Sequence, residues 1–190
     1  MQKLFRPRTA ALTAAFLLAA CSGKPAAGPG PERPSASPAG TDSSCLDGAY
    51  LSGRVLGAVS ADLGAPGGDL ECAGGPRPDG EGVRLRFARS LGDGPGLAVI
   101  IAMPGLGPDT TGSELETNVT LILEGEARFF STQNRDTCWV DVVENTPVGD
   151  GRYAVAGELY CIAPLPEVNG SASVTLDGVA FRGFADRGSS

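Results

Sequence analysis

Between Gly94-Pro95-Gly96 and Pro104 stands an unbroken apolar run, Leu97-Ala98-Val99-Ile100-Ile101-Ala102-Met103. Its flanking breakers leave it too short for a helix of ordinary length, so it predicts a central strand buried on both faces. Val83-Arg84-Leu85-Arg86-Phe87 alternates apolar and charged residues, which places Val83, Leu85 and Phe87 on a buried face and both arginines in solvent. Asn118 to Leu123 repeats the alternation through Val119, Leu121 and Leu123. Further strands are expected over residues 49–59, 70–72, 128–131, 138–143, 153–162, 173–176 and 179–184, and no stretch carries an amphipathic helical period. Asp79-Gly80-Glu81-Gly82 reads as a hairpin turn. The chain from Cys45 to Ser190 is therefore expected to be all-β, an antiparallel sandwich or partly open barrel of about eight to ten short strands.

The last hairpin constrains the cysteines. A two-residue turn at Gly149-Asp150, glycine first as a primed turn favours, sets Cys138 opposite Cys161. Direct opposition at a non-hydrogen-bonded pair brings Cα atoms to about 4.5 Å, within disulfide reach. The same register sets Trp139 against Tyr160 on the other face and Asp141 against Glu158, an unfavourable like-charge pair. A turn at Asp150-Gly151 would shift the register by two and separate the cysteines. With Cys138 joined to Cys161, Cys45 and Cys72 are left for each other. No close C-x-x-C pair occurs, which argues against metal ligation.

The N-terminus has a different chemistry. Lys3, Arg6 and Arg8 precede a mostly apolar run from Ala10 to Ala20, and Leu18-Ala19-Ala20-Cys21 follows the pattern of a lipobox. The run is too short to span a bilayer, which needs about 20 residues, and suits a signal peptide. The stretch resembles the leader of bacterial lipoproteins, which implies export, cleavage before Cys21 and lipidation of Cys21 with palmitate-class acyl chains. Cysteine arithmetic agrees, because five cysteines leave one unpaired and Cys21 is the natural remainder. Ser22 resembles the class that permits sorting onward to the outer membrane, where the protein would face the periplasm or the cell surface. Residues 1–20 are thus read as signal peptide, 21–44 as a lipidated N-terminus and tether, and 45–190 as the folded domain. The tether is rich in Pro, Gly, Ala and Ser without apolar period, so it is expected to stay disordered.

Chemistry is bounded mainly by residue types the domain lacks. The chain has no histidine, and its only lysines are Lys3 and Lys24. An imidazole base, a Schiff-base lysine and a P-loop lysine are therefore absent from residues 45–190, and no G-x-S-x-G elbow occurs. Without Lys3, Arg6 and Arg8 the 15 basic residues fall to 12 against 22 acidic, a mature net charge of −10 that disfavours nucleic acid. Asp109-Thr110-Thr111-Gly112-Ser113-Glu114-Leu115-Glu116 is the best oxygen-rich stretch, with Asp109, Glu114 and Glu116 as candidate Ca²⁺ ligands. It lacks EF-hand spacing and reads more simply as a solvated loop turning at Gly112. No cofactor and no catalytic residue are assigned. The expectation is a non-catalytic, membrane-anchored accessory or interaction module whose partner is an envelope protein or glycan. The alternatives are a carboxylate-dependent hydrolase of envelope glycans and a carrier of a small apolar ligand.

Overall fold

A computed structural model describes residues 45–64, 70–91, 95–133 and 135–188. The expected signal peptide, Cys21 and the expected tether lie outside the described residues. Two antiparallel sheets face each other and do not close into a barrel. The first runs in the order β2 (Ala61–Asp62), β1 (Tyr50–Gly57), β12 (Ser173–Asp186), β10 (Arg152–Cys161), β9 (Cys138–Gly149), β6 (Gly112–Glu116), with β11 (Leu165–Pro166) also paired to β12. The second is β3 (Glu71–Pro76), β4 (Val83–Arg89), β5 (Leu97–Met103), β7 (Asn118–Leu123), β8 (Arg128–Ser131).

Alternation determines the core. Leu85, Phe87, Val99, Ile101, Val119, Leu121 and Phe130 face inward from the second sheet, while Val55, Val140, Val155 and Phe181 face them from the first. β5 is central as expected, but its outer face is only half covered at Ile100 and Ala102. The reason lies in the register: Ile100 stands between Arg86 and Thr120, so its shield is an arginine that reaches Glu124 rather than a further layer. The chain passes from one sheet to the other at Thr117, which is buried, with its N–H on the Cys138 carbonyl at 3.0 Å and its hydroxyl donating to Leu115.

Three strands escaped the sequence pattern. β2 and β11 have two residues each, and β6 occupies part of the stretch expected to be a calcium-binding or solvated loop. Two expected strands are one. β12 continues through Gly178, whose φ of +60° makes a bulge opposite Gly53 at +116°, and the bulge moves the inward set from Val174 and Leu176 to Val179 and Phe181.

The β9–β10 hairpin corrects the expected turn while retaining its consequence. Arg152 pairs with Gly149, so the turn is Asp150-Gly151, with φ values of +53° and +72° that fit a type I′ turn. Taken alone it would part the cysteines. Two bulges restore the match: Tyr153 faces Pro147, passing over Val148, and Gly157 faces Val142, passing over Val143. The passed-over valines are the exposed ones, Val143 at 70% and Val148 at 42%. Beyond them Cys161 meets Cys138 with Cα atoms 4.1 Å apart, and Cys45 is joined to Cys72.

Two arginine–glutamate pairs tie elements across the outside. Arg182 of β12 reaches over β10 and donates from Nε and Nη2 to the carboxylate of Glu144 on β9 at 2.8 and 3.0 Å. Arg128 of β8 donates to Glu167 at 2.7 Å, beside the bridge that joins Phe130 to Glu167. In each case the hydrogen bond from the arginine is the chief cause that holds the carboxyl below its ordinary value of 4.5. A carboxyl depressed in the folded protein contributes stability that is present above the unfolded value and lost as pH falls through the folded one. Thermal stability is therefore expected to decline as pH drops below 4.5, and Glu144→Gln should flatten the decline. An unchanged pH slope in that variant would remove Glu144 from the account.

Candidate functional site

The outer face of the first sheet concentrates the exposed chemistry. Cys138, Val140 and Leu159 point inward, so Trp139, Asp141, Glu158 and Tyr160 point out. Trp139 and Tyr160 face each other across β9 and β10 with ring centroids 5.9 Å apart and planes 26° apart. Tyr160 is 39% exposed. Asp141 stands opposite Glu158 in the next outward pair, as the cysteine register required.

β6 brings more acid to this face. Glu116 pairs with Trp139, and Glu114 sits in a bulge with φ of +56° from which its N–H donates to Asp141 Oδ1 at 2.7 Å. Glu116 has its carboxyl pushed above the ordinary range, first by a hydrogen bond with the Asp136 carboxyl and then by that group's charge. The Tyr160 phenol is pushed up by desolvation and then by the charges of Glu114 and Asp141. Among the described residues none of Glu114, Glu116, Asp136, Asp141 and Glu158 has an arginine within ion-pairing distance. Beside Tyr160, where β12 offers only Gly178, a cleft of about 490 Å³ opens between Glu158 and Asp177. Asp177 is taken by Arg54, and Glu158 is left unpaired there.

A larger cleft of about 770 Å³ lies among the β3–β4 loop, the segment after β5, the β9–β10 turn and Arg187. Arg187 stacks over Tyr153 with its guanidinium 5.1 Å from the ring centre and donates from Nη2 to the carbonyls of Leu106 and Gly107. Burial lowers its pKa. Asn145, 2% exposed, donates to Gly107 and Thr110 at 2.8 Å each. Both side chains brace the backbone of the segment after β5, and Glu81 is the only carboxylate in the cleft's described lining. Neither brace is legible in the sequence, because each bonds carbonyls 35 to 81 residues away with no spacing to mark them.

The candidate Ca²⁺ ligands are not brought together. Pairing of β6 with β9 places Glu114 beside Asp141 and Glu116 beside Asp136, whereas Asp109 lies near Arg187. Among the described residues no group of three or more His, Cys, Asp or Glu side chains could hold a metal ion. Among them also no helix is long and apolar enough to cross a membrane. No family model, curated protein or solved structure matches the chain.

Proposed function

We propose that the protein is a lipid-anchored, non-catalytic accessory of the bacterial outer membrane, an interaction module that presents its sandwich to another envelope component from the end of a tether. One observation carries the reading: the four domain cysteines pair with one another, Cys45 with Cys72 and Cys138 with Cys161, which leaves Cys21 as the fifth. Disulfides belong to an oxidising compartment, so they support export, and an exported protein with one cysteine over needs a use for it. The lipobox residues supply that use at Cys21. The interaction role is supported by the outward-facing Trp139 and Tyr160.

Cys21→Ser is expected to abolish incorporation of radiolabelled palmitate and to release the protein from the membrane fraction. Each buried methylene of an acyl chain contributes about 0.8 kcal/mol, so loss of several chains leaves no comparable hold. If the variant still takes up label and stays with the membrane, the anchoring reading fails.

A further inference from the structure

We propose that the Trp139–Tyr160 face of the first sheet docks a basic segment of a partner protein, one that lays lysine or arginine side chains over the aromatic pair and between its flanking carboxylates. The proposal deepens the interaction-module reading by naming the surface and the chemistry of its occupant. The face has no covering layer among the described residues: the second sheet packs on the opposite side, and Tyr160 stands 39% exposed.

Charge selects the occupant. Four of the domain's arginines are committed elsewhere, Arg54 to Asp177, Arg86 to Glu124, Arg128 to Glu167 and Arg182 to Glu144. Glu114, Glu116, Asp141 and Glu158 surround the rings with no such partner, and the Glu114 N–H fixes the Asp141 carboxylate in place. Like charges directly opposed across an antiparallel pair weaken the sheet. Asp141 and Glu158 are opposed in this way, so the face gives up stability that a bound cation would restore. A cation over an aromatic ring is attracted to its negative π face, most strongly over Trp, and adjacent carboxylates add to that attraction. A neutral glycan could stack on the same rings but would leave the repulsion between the carboxylates in place. An anionic surface would be repelled.

The chain contains a single tryptophan, so Trp139 fluorescence reports on this face alone. Titrating the purified full-length protein with an oligolysine peptide should give a saturable change in Trp139 emission that weakens with added salt. Oligoglutamate and maltotriose should give none. Glu158→Gln should reduce oligolysine affinity about tenfold, the equivalent of one charge-assisted hydrogen bond, while raising the melting temperature because Asp141 loses its opposing charge. Tyr160→Leu, at an exposed position, should weaken binding with the carboxylates intact. A saturable response to maltotriose without one to oligolysine would replace the basic partner with a glycan and overturn the proposal. No response to any probe, or unchanged oligolysine affinity in both variants, would overturn it equally. Palmitate labelling of Cys21 is read out separately, so failure of the docking surface and failure of the anchoring reading are distinguishable.

Discussion

Reduction of both disulfides is expected to bring the domain close to unfolding. The bridges span sequence separations of 27 and 23 residues. The chain-entropy relation gives about 3.5 kcal/mol for a loop of either size. A combined loss of roughly 7 kcal/mol falls inside the usual range of about 5 to 15 kcal/mol for total stability. The two contributions should differ in practice. Cys138 and Cys161 close a hairpin whose strands are paired from Gly149 and Arg152 down to the bridge, so part of that loop can form locally in the unfolded chain. Cys45 precedes β1 in one sheet and Cys72 lies on β3 in the other, so their bridge ties elements that no local pairing brings together. Joint replacement of Cys45 and Cys72 should therefore cost more stability than joint replacement of Cys138 and Cys161. Urea unfolding with and without a reductant measures the total, and the two double variants measure the parts. A midpoint that reductant leaves unmoved would show that the bridges do not carry the stability assigned to them.

The strands that alternate cleanly were legible because side-chain period is what burial imposes. Val83 to Phe87, Leu97 to Met103 and Asn118 to Leu123 lie in β4, β5 and β7 as expected. Legibility stopped where a partner strand, not the segment itself, decides the structure. Gly112-Ser113-Glu114 carries no apolar alternation and becomes strand through pairing with β9. The hairpin turn falls at Asp150-Gly151 and not at Gly149-Asp150 because Asp-Gly suits a turn with positive φ at both central positions, which outweighs the glycine-first preference. The bulges at Val143 and Val148 have no local signature that fixes a register. Pro147 marked only that this part of β9 lies beyond the reach of β6, since proline cannot donate to a ladder.

Half of the candidate site followed from the same reasoning. Once Cys138 was placed opposite Cys161, Trp139 had to meet Tyr160, and Asp141 had to meet Glu158. The other half is tertiary. Sequence proximity groups Glu114 and Glu116 with Asp109 as calcium ligands, whereas the edge pairing of β6 carries them to the aromatic pair instead. Asp136 enters through a loop that brings it beside Glu116, which no spacing announces.

Phe181→Ala is expected to cost about 3 to 5 kcal/mol, the range for truncating a fully buried aromatic residue. Phe181 lies on β12 at the middle of the first sheet with no solvent exposure. Its ring meets that of Phe87 on β4 at 5.9 Å between centroids and 54° between planes, a tilted contact between the two layers. Two residues further along β12, Gly183 leaves the space the Phe87 ring occupies: a Cβ there would stand 2.7 Å from the Phe87 ring. Phe87 packs against Phe181 on one side and the bare backbone of Gly183 on the other, and with Gly183 in place nothing drives its ring into the space that Phe181→Ala opens. The cavity should persist, and the cost should sit in the upper part of the range. Gly183→Ala tests the same packing from the opposite direction, because it must displace the Phe87 ring, and overpacking of this kind costs about 1 to 3 kcal/mol. Combining the two tests the coupling, since the space vacated at Phe181 can receive the displaced ring. The double variant should be more stable than the sum of the single losses predicts, with a coupling of about 0.5 kcal/mol or more. Strict additivity in chemical unfolding would mean that Phe87 does not transmit between the two positions.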